Sequence, residues 1–73
     1  MIKIGSIIVA MRESKGLTQK QLGELIGVGQ VTISRWETDR HLPTIEQFVS
    51  LADALECSLD ELAGLSKAKP KLR

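Results

Sequence analysis

Along the first 65 residues, apolar side chains recur at intervals of three and four, the repeat that gathers them on one face of an α-helix. Ile4, Ile8 and Met11 form one such series and Leu22, Leu25 and Ile26 a second. Ile33 and Trp36 form a third, Phe48, Leu51, Ala52 and Leu55 a fourth, and Leu59 and Leu62 a fifth. No segment alternates strictly, as a half-buried strand would. Three of the series begin after a hydroxyl residue that is followed three positions later by Glu or Gln: Thr18 with Gln21, Thr44 with Gln47, and Ser58 with Glu61. In that pattern the hydroxyl accepts from a free amide of the first turn while the longer side chain reaches back to the cap amide. Pro43 reinforces the second start, because its ring disfavours helix in the residue before it. Gly16, Gly27 and Gly64 stand where helices would stop. The pattern predicts five helices, at about 3–15, 18–26, 29–38, 44–56 and 58–64, and an all-α fold class. Residues 1–65 make the domain; residues 66–73 lack periodicity, carry basic side chains and are expected to stay disordered as a tail.

The second and third helices are joined only by Gly27-Val28-Gly29. So short a connection forces a sharp crossing instead of a parallel hairpin, which is how a helix-turn-helix is built. Such a crossing requires a small residue facing the partner helix, supplied by Gly23, and a turn residue that tolerates positive φ, supplied by Gly27. It further requires an apolar side chain dropped from the turn into the core (Val28) and two inward residues on the second helix (Ile33 and Trp36). All five stand within Gln19–Thr38.

Composition narrows the classes. At 73 residues the chain is one domain, and opening on Met1 it reads as a whole protein. Leu, Ile and Val together number 21, enough for one small core in a chain that buries only about 60% of its unfolded surface. One Cys (Cys57) excludes an internal disulfide, and with one His (His41) it cannot make a tetrahedral zinc site. The longest apolar run, Ile7-Ile8-Val9-Ala10-Met11, is far short of a membrane span of about 20 residues or a signal-peptide core of about 7–15. The expectation is an intracellular, cytoplasmic protein with no metal, no cofactor and no small-molecule substrate. No nucleophile stands with a candidate base and no glycine-rich loop could cradle a phosphate, so an enzyme is not expected. The net charge of +1 hides a split: residues 1–41 carry net +2, residues 42–65 carry net −5 without any Lys or Arg, and residues 66–73 carry net +4. An anionic partner would meet the first half or the tail.

Leu17-Thr18-Gln19, Gln21-Leu22-Gly23-Glu24-Leu25-Ile26-Gly27-Val28 and Thr32-Ile33-Ser34-Arg35-Trp36-Glu37 together resemble the XRE/Cro family of phage-repressor-type DNA-binding domains. The similarity continues through Pro43-Thr44-Ile45-Glu46 and Leu51-Ala52-Asp53-Ala54-Leu55 to Ser58-Leu59-Asp60-Glu61-Leu62, so it covers residues 4–64. It implies a compact five-helix, lambda-repressor-like domain whose third helix enters the DNA major groove.

Counting from Gly29 as a cap, that helix exposes Gln30, Val31, Ser34 and Arg35. Gln can bond adenine bidentately, Arg can bond guanine, and Val offers an apolar contact to a thymine methyl. The family places base contacts at these positions. Val31 could instead pack on the turn. Gln19 lies in the first turn of the second helix, where free amides and the helix dipole attract an anion. The resemblance makes it a phosphate contact that braces Gln30, with Arg40 and Thr32 as further phosphate contacts. It also pairs Arg12 with Glu37, tying the first helix to the end of the third, with the weight of a partly exposed pair, about 0–1 kcal/mol. Trp36 reads as a core aromatic and His41 as solvated surface. Cys57 reads as a small core or interface residue.

Two positions depart from the family. Asp39 stands where a glycine is common and is expected to occupy a left-handed conformation. Ile7 and Val9 replace polar residues, and either widen the core or form an exposed patch. The expected function is sequence-specific binding of double-stranded DNA, at a palindromic operator, by a homodimeric transcriptional regulator. In the family the dimer forms through the last helices, here around Leu59, Leu62 and Leu65. The alternative is a helical protein-interaction module that binds another regulator and not DNA, which an exposed Ile7 and Val9 and the acidic second half would favour.

Overall fold

The computed structural model describes residues 3–65. It contains five helices: α1 (Gly5–Ser14), α2 (Gln19–Ile26), α3 (Gln30–Glu37), α4 (Ile45–Leu55) and α5 (Leu59–Ala63), with no strand among the described residues. Each lies inside the range that the apolar spacing predicts, trimmed by one or two residues where caps replace helical turns. The basic tail at 66–73 lies outside the described residues.

All three predicted capping boxes form. The Thr18, Thr44 and Ser58 hydroxyls accept from the amides of Gln21 (3.0 Å), Gln47 (3.2 Å) and Glu61 (3.0 Å). Each returning side chain accepts from the cap amide at 2.8 Å. Three of the five helices thus have their first free donors satisfied within four residues of sequence. α4 ends one residue earlier than its pattern predicts, because Glu56 turns left-handed at φ 57°.

α2 and α3 pack on each other, α1 closes against α3, and α4 packs on α2 and α5. The crossing of α2 and α3 is as close as the sequence requires. A Cβ on Gly23 would stand 2.5 Å from the carbonyl oxygen of Val28, and Gly27 caps α2 at φ 78°. The core is Ile4, Ile8, Leu22, Ile33, Trp36, Leu51, Ala52, Leu55 and Leu62, with Ile7, Met11, Leu17, Val28, Phe48 and Cys57 among the half-buried residues packed against it. Ile7 therefore widens the core, and Val9 is half-buried beside it. Leu25 is a correction to its pattern: it lies at the edge of the α2 stripe and points outward, 62% exposed. Leu62 is a second correction. It has no exposed surface, because α5 turns this residue into the core and leaves Leu59 and Leu65 outside, so it cannot itself meet a second chain.

Candidate nucleic-acid interface

α3 is amphipathic in the simplest sense. Ile33 and Trp36 are buried against α1 and the core, which leaves the opposite side of the helix to solvent. On that side Gln30, Val31 and Arg35 are exposed, and Ser34 and Thr32 are half-exposed. Val31 is 64% exposed and does not pack on the turn. Gly29 caps the helix in an extended conformation without a side chain, so the first amides of α3 are unobstructed. A bulky cap would stand between the helix end and anything approaching it.

Gln19 is the first residue of α2 and sits beside the first residue of α3. Its carbonyl Oε1 lies 3.5 Å from Nε2 of Gln30, at the long end of hydrogen bonding. Its own Nε2 donates to Glu37 Oε1 at 2.8 Å. This second contact was not foreseen from the sequence, since nothing in the spacing of residues 19 and 37 encodes it. Arg40 is exposed in the loop after α3, where its backbone N–H donates to the carbonyl of Arg35 at 2.9 Å and holds the loop close to the helix end. Gln19, Thr32 and Arg40 thus flank the exposed side of α3 from its two ends and from its own first turn.

The Arg12–Glu37 pair forms, but it is far less exposed than expected. Arg12 Nε donates to Glu37 Oε2 at 2.6 Å and Nη2 to Oε1 at 3.3 Å, and the side chains are 12% and 4% exposed. Nη1 donates to the carbonyl of Leu17 at 2.7 Å, so the guanidinium is held at three points. The hydrogen bond from Arg12 to Glu37, opposed by desolvation and aided by the charge of Glu37, raises the Arg12 pKa further above an already high value. The pair is a permanent charged clamp from α1 onto the last residue of α3.

Asp39 adopts the left-handed conformation anticipated for it, at φ 60°. Its carboxylate turns away from the exposed side of α3 and accepts from the backbone N–H of Gly5, at the start of α1. His41 is exposed. Cys57 is half-buried, and burial, then the charge of Glu61, pushes its thiol pKa up, away from the thiolate form. Among the described residues no three His, Cys, Asp or Glu side chains cluster so as to hold a metal ion, and no helix is long and apolar enough to cross a membrane.

Comparison with known proteins agrees with this geometry. The family model described as Helix-turn-helix matches residues 8–62. The cryptic phage CTXphi transcriptional repressor RstR of Vibrio cholerae is 38% identical over 63 residues, which are 86% of this chain and 56% of that protein. Repressor protein C2 of Salmonella phage P22 is 39% identical over 59 residues, 81% of this chain and 27% of the repressor. The chain thus spans little more than half the length of the first relative and about a quarter of the second. A crystal structure of the P22 c2 repressor in complex with a synthetic operator superposes with a TM-score of 0.78 at 39% identity, covering 81% of this chain and 89% of that one. The restriction-modification controller protein C.AhdI from Aeromonas hydrophila superposes equally well, at 28% identity over 84% of this chain and 88% of that one. By sequence, by the five-helix arrangement and by the tight α2–α3 turn, the chain belongs to the XRE/Cro-type helix-turn-helix family.

Proposed function

We propose that this chain binds duplex DNA sequence-specifically as a transcriptional regulator, with α3 in the major groove. The observation that carries the reading is the outer side of α3. A helix whose back is anchored by Ile33 and Trp36 presents Gln30, Val31, Ser34 and Arg35 together, with no side-chain cap at its entry end. These groups suit base edges: Gln for adenine, Arg for guanine, Val for a thymine methyl and Ser as a donor or acceptor. Gln19, Thr32 and Arg40 flank them and fit phosphate contacts, which fix register without reading sequence. The P22 relative, solved on an operator, supports the same reading by its likeness in this segment.

One such domain spans only a few base pairs, so useful affinity calls for two heads on half-sites about one helical turn (34–36 Å) apart. The proposed regulator is therefore a homodimer on a palindromic operator, acting by binding and without catalysis, in the cytoplasm of a bacterium or in the service of a phage. Leu59 and Leu65, at 46% and 71% exposure, are the interface residues still available on and after α5. Ala63, one turn after Leu59, lines an apolar groove with Ile4, Leu42, Pro43, Ile45 and Phe48, which extends the surface a second copy could cover.

The test is selection from a random duplex pool at moderate salt, followed by titration of the enriched site. Enrichment of a palindrome with half-site centres about 10 base pairs apart is the expected result. A folded sample that enriches no sequence overturns the proposal and leaves a helical protein-interaction module in its place.

A further inference from the structure

We propose that Glu37 is a positioning residue for base recognition. Clamped by Arg12, its carboxylate orients the side-chain amide of Gln19, which in turn orients the amide of Gln30 toward the pattern presented by adenine. The inference rests on the reading of α3 as the groove-binding helix. It adds a residue that touches no DNA in that reading.

The argument is one of donors and acceptors. An ionised carboxylate can only accept hydrogen bonds. Glu37 is 4% exposed, and its two oxygens already take Arg12 Nε at 2.6 Å and Nη2 at 3.3 Å, so the group cannot rotate away. An amide beside it must present nitrogen, as Gln19 does at 2.8 Å. The flipped amide would set its carbonyl oxygen against a nearly buried carboxylate oxygen, where repulsion is poorly screened. With its nitrogen committed inward, Gln19 turns its oxygen to the other side, where Gln30 Nε2 lies 3.5 Å away. Facing an acceptor, Gln30 must also present nitrogen. Its own oxygen and its second N–H are then left for the groove, and one acceptor beside one donor is what the N6 and N7 edge of adenine requires.

Glu37 and Gln30 are the last and first residues of α3, and Gln19 opens α2. The relay thus ties both ends of α3 to a clamp in the interior, and the amide orientation is set before DNA arrives. A glutamine free to flip would have to be ordered on binding, at an entropic cost that preorganisation removes.

Two measurements on the full chain test this. In the absence of DNA, side-chain amide exchange is followed by NMR on 15N-labelled protein. Gln21 and Gln47 serve as internal controls, because their side chains accept through oxygen in the capping boxes. Hydrogen bonding to a charged acceptor should slow the Gln19 amide protons about tenfold or more relative to these controls. Exchange at the control rate overturns the relay.

The second measurement compares base profiles selected by the unaltered chain and by Gln19→Met, Gln30→Ala, their combination and Glu37→Gln. Gln19→Met should lower adenine preference about fivefold or more at one position of each half-site, and that position should be the one flattened by Gln30→Ala. The double variant should lose no further discrimination there. Glu37→Gln should blur the same position, since a neutral amide at 37 can turn either end to Gln19; if it fails to fold, Gln19→Met decides. Weaker binding by Gln19→Met to all sequences alike, with the profile unchanged, reduces Gln19 to a phosphate contact and sinks the proposal. If the unaltered chain selects no sequence, the recognition role falls with the DNA reading, while the exchange rates still decide whether Glu37 orients Gln19.

Discussion

The carboxylate of Asp39 accepts the backbone N–H of Gly5 at 3.0 Å, across 34 residues of sequence. Gly5 is the first residue of α1, whose amides have no intrahelical partner, and Ile4 before it offers no side-chain cap. The left-handed turn at Asp39 thus delivers the cap that the first helix lacks, and it joins the segment after α3 to the start of α1. The joint is tight: a Cβ on Gly5 would stand 2.3 Å from the carbonyl oxygen of Glu37.

Both partners of this joint should be sensitive. Asp39→Ala removes the acceptor and keeps the positive φ, so a loss of at least about 1–2 kcal/mol is expected in urea unfolding. Gly5→Ala should cost about 1–3 kcal/mol by overpacking, since both atoms in conflict are bound to backbone. An unchanged midpoint for Asp39→Ala would show that the cap contributes nothing.

Removing one member of the Arg12–Glu37 pair strands a charge that is nearly shielded from water. Arg12→Ala or Glu37→Ala should each destabilise the fold by about 3–5 kcal/mol, well above the 0–1 kcal/mol of an exposed pair. For a small domain that is a large part of the total stability. Calorimetry on Arg12→Ala checks it, with a fall of only a degree or so as the outcome that would return the pair to the surface class.

Two glycines of the helix-turn-helix are required for different reasons, and alanine separates them. At Gly23 the added methyl meets the Val28 carbonyl at 2.5 Å, so α2 and α3 must move apart. At Gly27 the space around the added Cβ is open and only the φ of 78° opposes it. Gly27→Ala should cost about 1–2 kcal/mol and preserve the DNA-binding profile. Gly23→Ala should cost about 1–3 kcal/mol and also weaken selected-site binding, because it displaces α3. Equal binding losses per unit of stability would contradict this division.

Arg35 is exposed on the outer side of α3. Arg35→Ala should cost about 1–3 kcal/mol on the selected site and relax preference at one base position. Unchanged discrimination between selected and scrambled duplexes removes Arg35 from the readout.

Acid should weaken the contact between α1 and α4. Lys15 donates to Glu56, and that hydrogen bond, followed by the Lys15 charge, holds the Glu56 carboxyl below its ordinary value near 4.5. A carboxyl depressed in the folded state adds stability above its unfolded pKa and loses it as pH falls through the folded value. The stability difference between the unaltered chain and Lys15→Met should therefore shrink below about pH 4. A difference independent of pH would exclude the pair as its source. Glu56 is exposed, so the effect is small.

The residues near each other in sequence determined much of this protein. Hydroxyl caps, their returning Glu or Gln, and apolar spacings of three and four act within one or two turns. The five helices, the all-α class and the α2–α3 turn could therefore be read from the chain, together with the outward position of Gln30, Val31 and Arg35. Periodicity finds an apolar stripe but not which of its edges the neighbouring helices cover. Leu25 and Leu62 show this: the first is left outside the fold and the second is enclosed by it. The contacts that set α3 in place were decided only by the tertiary structure. Arg12 meets Glu37 across 25 residues, Gln19 meets Glu37 across 18 and Asp39 meets Gly5 across 34. Such pairs depend on where separate helices cross, and the strength of the Arg12–Glu37 pair depends on how much water that crossing excludes.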